Sequence, residues 1–327
     1  SGAVYSFFTA EEIYSMIPEL IEIANVDTET VFSIFSEDMT PQNWTVIAEK
    51  VYRHLKKGDY TGIVIAHGTD TMGYTAAALS FAVRNLPYPV ILVGAQRSSD
   101  RPSTDTIENV IAAVTTAAYA PFAEVAVVMH GSMSDDFCLA HRGTKVRKCH
   151  TSRRDAFRTI NGDPLAIIRR RQIKMLTDDY LPRDPDRTPV LENSFEDKVI
   201  LLKFYPGMKE EIIELLVDAG YRGIVLEGTG LGHVRNELIS VISKAVKDGV
   251  AFVMTSQCIW GRINMNVYST GVDLLKAGVI PGEDMLPETA FVKLSWILAK
   301  TDDLDEVRKL MLTNIAGEIN YHSNAKY

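Results

Sequence analysis

Thr69 and Asp70 are the residues whose types and spacing most suggest chemistry. They lie in "AHGTDTM" (66–72), between the apolar run "GIVIA" (62–66) and a helical pattern. A hydroxyl beside a carboxylate suits nucleophilic attack or proton transfer, with the carboxylate orienting a base or an amine. The plainer interpretation is that Asp70 or Thr71 only caps the following helix. A single cap does not explain the adjacent hydroxyl and carboxylate, so both interpretations stay open.

A strongly basic segment, residues 141–174, supplies a second group of reactive side chains. It has a net charge of +9, so the remainder of the chain carries −17. It is either a solvated charged face or a contact for RNA phosphates. Crowding by cations also disfavours the ammonium form of Lys148, which would suit a general base, whereas a nearby Asp70 carboxylate acts in the opposite direction. The cations are Arg142, Lys145, Arg147, Lys148, Arg153, Arg154, Arg158, Arg169, Arg170, Arg171 and Lys174.

The bulk composition excludes several classes of protein. The chain has 327 residues, of which 46% are hydrophobic and 23% charged, and this indicates a globular protein with a sizeable core. A net charge of −8 argues against nucleic-acid binding by the chain as a whole. No apolar run reaches the roughly 18 to 20 residues that span a bilayer, and no signal peptide is visible. Three cysteines without C-x-x-C spacing favour a reduced, cytoplasmic setting.

The sequence predicts neither a metal site nor a dinucleotide site. Cys149 and His150 with His141 form the only nearby group of metal-ligand types, and structural metal sites have more regular spacing. The glycines of "GTGLGH" (228–233) do not follow the G-x-G-x-x-G pattern, so a tight turn is favoured over a phosphate-binding loop.

Short apolar runs and helical patterns alternate around these candidate residues. Strands are predicted at 62–66, 89–94 and 124–129, with helices over about 71–84 and 105–119. This order predicts a mostly parallel sheet with right-handed crossovers. Because ligands bind at the carboxyl ends of such strands, a site is expected in the loop after the first strand.

The pattern predicts two α/β domains. Residues 1–176 form the larger domain, which carries the active site, 177–198 form a linker rich in Pro, Asp and Arg, and 199–327 form a smaller C-terminal domain. Upstream, "TAEEIYSMIPELIEIA" (9–24) predicts one helix opened by Thr9. The segment "ETVFSIFSEDM" (29–39) predicts a strand that ends in a polar loop.

Four sequence blocks resemble the asparaginase/glutaminase type I–II family: "SEDM" (36–39), "AHGTDTM" (66–72), "VGAQRSSDRPSTD" (93–105) and "KCHTSRRDAF" (148–157). The resemblance runs from residue 1 to about residue 315 and implies a two-domain asparaginase-like α/β fold that hydrolyses a side-chain carboxamide. An amide is a poor electrophile, so its hydrolysis requires an activated hydroxyl, a base and donors for the developing oxyanion.

The resemblance implies three catalytic and five substrate-binding residues. The catalytic residues are Thr69, Asp70 and Lys148, of which the lysine serves the threonine. The other five hold the α-carboxylate and α-amino ends of the substrate or line the pocket near its amide: Ser36, Glu37, Gly68, Ala95 and Gln96.

The family pattern also includes a first strand that ends in a "TGGTI"-like loop, whose threonine is the primary nucleophile. The 327 residues contain no such segment, and they also lack the small N-terminal β-barrel found in one branch of the family. The expectation is that the native protein continues upstream of Ser1. A protein that started at Ser1 is expected to be inactive.

Within the family, "FYPGM", "EGTGLGHV" and "GVIPGEDMLPETAFVKL" are most similar to the D-subunit branch of archaeal tRNA-dependent amidotransferases. This implies a glutaminase that supplies ammonia for converting Glu-tRNA(Gln) to Gln-tRNA(Gln), together with an E subunit. It also implies a homodimeric core, no cofactor in this chain, and ATP and Mg²⁺ in the partner subunit. The alternatives are a free-standing cytosolic L-asparaginase and a non-catalytic scaffold that binds a partner or tRNA.

Overall fold

The computed structural model describes residues 10–97 and 103–321 of the chain. The chain divides into two compact units. One unit contains the residues up to 159 and residues 163–193, and the other contains residues 160–162 and the residues from 194 onward. No described helix combines the length and the apolar character needed to cross a membrane.

The described part of the larger unit contains ten strands and four α-helices. The strands are β1 (Ile63–Ala66), β2 (Val83–Arg84), β3 (Val90–Val93), β4 (Val125–His130), β5 (Cys138–Arg142), β6 (Val146–Lys148), β7 (Phe157–Thr159), β8 (Ala166–Arg169), β9 (Gln172–Met175) and β10 (Val190–Leu191). The helices are α1 (Ala10–Ser15), α2 (Pro41–Lys57), α3 (Met72–Ala82) and α4 (Thr106–Tyr119), with 3₁₀ helices at Pro18–Glu22 and Ser36–Asp38.

The main sheet of this unit has the strand order β1-β3-β4-β5-β8-β9. The pairings β1–β3 and β3–β4 are parallel, whereas β4–β5, β5–β8 and β8–β9 are antiparallel. The described sheet is therefore mixed rather than mostly parallel. The connections after β4 and β8 are too short for a helical crossover, which parallel neighbours require. Two further pairings, β6–β7 and β10–β2, form small antiparallel ribbons.

The alternation of strands and helices that positions the predicted site is confirmed. Helix α3 connects β1 towards β3, and α4 connects β3 to β4. Ile91 and Val93 of β3 share a buried cluster with Ala113 and Ala117 of α4. Burial of these apolar side chains between helix and sheet is the main stabilising term.

Two predictions for the segment upstream of α2 are wrong. The helix expected over 9–24 is broken, because Pro18 starts a separate 3₁₀ helix and proline cannot continue an α-helical ladder; Thr9 lies outside the described residues. The strand expected over 29–39 is absent from this described stretch. Ile34 and Phe35 are exposed there, so the apolar residues of the segment do not cover a sheet face.

The predicted linker, 177–198, does not follow the division seen in the structure. Its residues up to 193 lie with the larger unit, where β10 pairs with β2. Arg183 adds contacts there, since its guanidinium donates to the carbonyls of Ala117 and Ala118. A stretch rich in Pro, Asp and Arg can therefore be anchored by backbone and guanidinium hydrogen bonds without any periodic pattern.

The smaller unit contains a four-stranded parallel sheet flanked by helices. Its strands, in spatial order, are β11 (Val199–Lys203), β12 (Gly223–Gly228), β13 (Ala251–Ser256) and β14 (Ile280–Pro281). Its helices are α5 (Glu211–Asp218), α6 (Leu238–Lys247), α7 (Ser269–Lys276), α8 (Pro287–Leu298) and α9 (Leu304–Leu312). The "GTGLGH" segment is a tight turn closed by a bridge between Thr229 and His233.

His141 of β5 makes the stability of the larger unit sensitive to acid. The side chain is fully buried, and its Nδ1 lies 2.8 Å from Thr159 Oγ1. Burial, with a smaller contribution from Arg158, lowers the pKa of His141 from 6.5 to about 3. Below pH 6.5 the unfolded chain therefore binds a proton here that the folded chain does not bind until about pH 3.

Stability is expected to be full above pH 6.5 and to fall as the pH drops towards 3. The loss from this residue is at most about 1.4 kcal/mol per pH unit. His141→Gln should remove this part of the pH dependence, as measured by urea unfolding at several pH values within the window. The exposed His150→Gln variant is the matched control. An unchanged slope in His141→Gln would show that His141 is not the acid-sensitive group.

Candidate active site

The loop between β1 and α3, residues 67–71, lies at the carboxyl end of parallel strands. His67 N–H donates to Val93 O at 2.9 Å, which extends the β1–β3 pairing into the loop. Gly94 follows β3 at the same edge. A Cβ on Gly94 would lie 2.5 Å from His67 O and 3.1 Å from Thr69 Cγ2, so the two loops are in close contact. Only glycine allows this approach.

Lys148 reaches the same loop from the end of β6. Its Nζ donates to Thr69 Oγ1 at 2.8 Å and to Asp70 Oδ1 at 2.7 Å. The Lys148 side chain is only 14% exposed, whereas the Asp70 side chain is 67% exposed. The amine is thus sheltered, and the carboxylate keeps a face open for another ligand. The structure brings the three sequence-predicted catalytic residues into direct contact.

Neither Asp70 nor Thr71 caps the helix that follows them. Helix α3 begins at Met72 without a side-chain cap. Thr71 Oγ1 donates instead to Ser36 O at 2.6 Å, and the Asp70 carboxylate accepts from Lys148. The capping interpretation is therefore wrong for both residues, and their side chains serve contacts within the site.

Ser36 packs directly against this loop. It is buried, and a Cβ on Gly68 would lie 2.8 Å from Ser36 Cβ and 2.9 Å from Ser36 Oγ. Glu37 follows Ser36 in the same 3₁₀ helix and is exposed. The segment predicted to be a strand therefore ends in a helical turn, which places Ser36 beside Gly68.

Ala95 and Gln96 lie in the second loop, after β3. Gln96 N–H donates to Asp105 Oδ2 at 3.0 Å. Gln96 Nε2 is buried and has no hydrogen-bond partner among residues 10–97 and 103–321. A buried donor without a partner costs about 1–3 kcal/mol, and an acceptor on a ligand would remove that cost.

His67 lies next to Thr69 but is held by other groups. Its Nδ1–H donates to Gly68 O at 2.6 Å, which leaves Nε2 to accept from Thr75 Oγ1 at 2.8 Å. Thr75 Oγ1 in turn accepts from Trp44 Nε1 at 3.2 Å. Burial lowers the pKa of His67 below its usual value, so the ring stays neutral and shapes the turn.

The basic segment 141–174 does not form one free cationic face. Several of its cations form ion pairs with carboxylates of described residues, among them Arg142 with Glu124 and Asp179, Lys148 with Asp70, Arg153 and Arg158 with Asp155, Arg154 with Asp135, and Arg171 with Glu22. Arg170 and Lys174 are exposed on the β8–β9 hairpin. Contact with RNA remains a prediction, and this hairpin is the part of the segment best placed for it.

No metal cluster accompanies these groups in the described part of the chain, where no set of three or more His, Cys, Asp or Glu side chains is placed to hold an ion. His141 is buried against Thr159, whereas Cys149 and His150 are exposed.

No sequence pattern singles out Asp105 or Asn109, yet both contact the loop that carries Gln96. Asp105 accepts from Gln96 N–H, and Asn109 Nδ2 donates to Gly94 O at 2.9 Å. An aspartate at the start of a predicted helix is typical of an N-cap, which hides any other role. The one signal in the sequence is the spacing of four residues between Asp105 and Asn109, which predicts that both polar side chains lie on the same face of the helix.

Comparison with known proteins shows which family this arrangement belongs to. Residues 1–180 match "Asparaginase, N-terminal", and residues 198–311 match "Glutaminase/Asparaginase C-terminal domain". The chain is 61% identical over 320 residues to the D subunit of glutamyl-tRNA(Gln) amidotransferase from Pyrococcus abyssi, covering 98% of this chain and 72% of that protein. Identity to the D subunit from Thermofilum pendens is 54% over 326 residues, covering 99% and 72%.

Solved structures give the same result for the fold. The thermostable L-asparaginase from Thermococcus kodakarensis matches with a TM-score of 0.86 at 32% identity, covering 96% of this chain and 93% of that one. L-asparaginase I from Vibrio cholerae matches with a TM-score of 0.78 at 32% identity, covering 88% and 84%. The predicted two-domain asparaginase-like α/β fold is confirmed. The chain belongs to the asparaginase/glutaminase family.

Proposed function

We propose that this protein is the glutaminase subunit of a tRNA-dependent amidotransferase. It hydrolyses glutamine and supplies ammonia for converting Glu-tRNA(Gln) to Gln-tRNA(Gln). The observation that carries the proposal is the contact of Lys148 Nζ with both Thr69 Oγ1 and Asp70 Oδ1. Identities of 54% and 61% to proteins named as D subunits of the amidotransferase favour this function over a free-standing L-asparaginase, since the L-asparaginase structures are 32% identical.

Thr69 and Lys148 form the proton path of the proposed reaction. For this step Lys148 must act as the free amine, so the extra proton of its ion pair with Asp70 leaves first. The hydroxyl or water that attacks the carboxamide carbon then gives its proton to Thr69 Oγ1, and the proton of Thr69 passes to Lys148 Nζ. The same path returns a proton to the departing nitrogen, so the C–N bond breaks and ammonia leaves. General acid–base transfer of this kind contributes about 10²–10⁴-fold to rate.

The remaining site residues hold the substrate in this proposal. The open face of the Asp70 carboxylate binds the α-amino group, and Ser36 and Glu37 bind the α-carboxylate and α-amino ends. Ala95 and Gln96 line the pocket at the amide, where the unpartnered Gln96 Nε2 can donate to an oxygen of the substrate. Donors fixed in advance at such a position stabilise the charge that develops in the transition state.

The assembly belongs to the same proposal. An E subunit receives the ammonia and binds ATP and Mg²⁺, and Glu-tRNA(Gln) is engaged through the complex. This chain works as a homodimeric core in the cytoplasm and uses neither a metal nor a cofactor of its own. The exposed cations of the β8–β9 hairpin are the candidates for any contact with RNA phosphates.

Gly68→Ala tests whether Ser36 and the Thr69 loop form one substrate site. The new Cβ would lie 2.8 Å from Ser36 Cβ, so Ser36 must move away from the loop. Overpacking of this kind costs about 1–3 kcal/mol. We expect a raised KM for glutamine in protein that is still folded, measured by steady-state kinetics beside thermal unfolding. An unchanged KM would show that Ser36 does not contribute to substrate binding.

The function itself is tested by ammonia release from glutamine and from asparagine. The full-length protein is assayed alone, with the E subunit, and with the E subunit and Glu-tRNA(Gln). We expect glutamine hydrolysis that depends on the E subunit and Glu-tRNA(Gln), and poor turnover of asparagine. Rapid asparagine hydrolysis by the protein alone would favour the free-standing L-asparaginase instead.

A further inference from the structure

The loop after β3 is bound by the carboxylate of Asp105, the residue directly before α4. Asp105 Oδ2 accepts from Gln96 N–H at 3.0 Å, and Asp105 Oδ1 accepts from Arg97 N–H at 2.9 Å. Asp105 is only 1% exposed, so both hydrogen bonds are shielded from water. A buried carboxylate that accepts two backbone N–H groups fixes the direction of both peptide planes.

Asn109 holds the other end of the same loop. It lies one helical turn after Asp105, and its Nδ2 donates both to Gly94 O and to Asp105 Oδ2, each at 2.9 Å. Asn109 is fully buried. The carbonyl of Gly94 and the backbone amides of Gln96 and Arg97 are thus bound by two side chains, Asp105 directly before α4 and Asn109 in its first turn.

His130, at the end of β4, fixes the orientation of Asn109. Both hydrogens of Asn109 Nδ2 are used, so Asn109 Oδ1 must accept, and His130 Nδ1–H donates to it at 2.6 Å. His130 is fully buried, and its Nε2 lies 3.0 Å from Asp135 Oδ1. The direction of the Asn109 amide is therefore determined by a second element of the sheet.

Arg154 connects this chain of contacts to the segment before Asp105. Its Nη1 donates to Asp135 Oδ1 at 2.6 Å, and its Nη2 donates to Ser103 O at 2.7 Å. Arg154, a cation of the basic segment, therefore contacts protein groups beside the loop. Asp135, at the edge of this network, is 59% exposed, whereas Asp105, Asn109 and His130 at its centre are buried. Buried polar groups whose hydrogen bonds are satisfied rigidify the segments they hold.

We propose that Asp105 is a positioning residue for amide hydrolysis, with Asn109 and His130 holding Asp105 and the loop in register. Asp105 does not touch the substrate. It sets the backbone of Gln96 and Arg97, and so aims the Gln96 side chain and the Ala95 backbone at the amide. The inference rests on the proposed function, because that function gives the loop its substrate.

Asp105→Asn is the test, because it keeps the shape of the side chain and removes one of its two acceptors. Its amide NH₂ would face a backbone N–H, so the peptide of Gln96 or Arg97 must turn away. Hydrogen exchange of those two amides is expected to accelerate. In the full-length protein with its E subunit and Glu-tRNA(Gln), kcat/KM for glutamine should fall by about 100-fold, the loss expected for a displacement near 1 Å.

The larger share of that loss should be in kcat, since the loop serves the reacting amide rather than the α-amino and α-carboxylate ends. Glu124→Gln is the matched control. Glu124 is also a mostly buried carboxylate of this unit that accepts a backbone N–H, from Leu181, but it lies at the opposite end of β4. Glu124→Gln should lower the melting temperature without changing kcat or the exchange of the Gln96 and Arg97 amides.

Three results would overturn the inference: unchanged exchange of the Gln96 and Arg97 amides in Asp105→Asn, faster exchange with wild-type kinetics, or the same kinetic loss in Glu124→Gln. Failure of the proposed function looks different. In that case the wild-type complex releases no ammonia from glutamine, while hydrogen exchange still decides whether Asp105 holds the loop.

Discussion

Lys148→Met is expected to lower ammonia release from glutamine by about a thousandfold or more, within the range that general acid–base groups contribute. Methionine preserves the apolar stem and approximate length of the side chain but removes the Nζ that contacts Thr69 and Asp70. The loss should be mainly in kcat, because the amine moves a proton during the reaction and is not the main ligand of the substrate.

The fold should survive this substitution. The Asp70 side chain that loses its partner is 67% exposed, so water replaces the amine at little cost. Exposed ion pairs contribute about 1 kcal/mol or less. Lys57→Met, at the exposed end of α2, is the control and should keep wild-type kinetics. Near-normal kcat in Lys148→Met would remove the base from the proposed mechanism.

Thr69→Val is expected to cause a loss of similar size. Valine has nearly the same shape as threonine, so the contact between the Thr69 side chain and Gly94 is preserved. The substitution removes the Oγ1 atom that accepts from Lys148 and that relays the proton in the proposed reaction. Because valine and threonine are both branched at Cβ and restrict the backbone in a similar way, a kinetic loss reports on the hydroxyl and not on the backbone.

Thr69→Ser is the matched variant for this prediction. It retains the hydroxyl and loses only a methyl group, so it should recover most of the activity that Thr69→Val loses. Steady-state kinetics on glutamine, with circular dichroism to verify folding, distinguishes the two variants. Equal activity of Thr69→Val and wild type would exclude Thr69 from the proton path.

Local sequence patterns predict where the site lies, because strand-to-helix loops are short-range features. The apolar run before Thr69 and the helical pattern after it place the loop at a strand end, and the structure agrees. The contact with Lys148 spans 79 positions, and no local pattern encodes it. The strands β6 and β7 have only three residues each, which is too short for a readable pattern around Lys148. Its place in the site is therefore predicted only from the family resemblance.

The incorrect predictions have a common physical origin. The segment 29–39 has strand-like residue types, but Ile34 and Phe35 are exposed, so tertiary packing and not propensity decides its conformation. The antiparallel half of the main sheet depends on short connections after β4 and β8, which the alternation of apolar runs and helical patterns does not reveal. Asp105 stays hidden because an aspartate that binds a preceding loop has the same sequence pattern as an N-cap.

The central claim is that Thr69 and Lys148 act as one catalytic unit on a side-chain carboxamide. The most direct measurement is kcat/KM for glutamine in wild type, Thr69→Val, Lys148→Met and the double variant, all in the full-length protein with its E subunit and Glu-tRNA(Gln). Residues that act as a unit are strongly non-additive, so the double variant should be about as slow as the slower single variant. If instead the two single losses multiply in the double variant, Thr69 and Lys148 work independently and the proposed proton path is wrong.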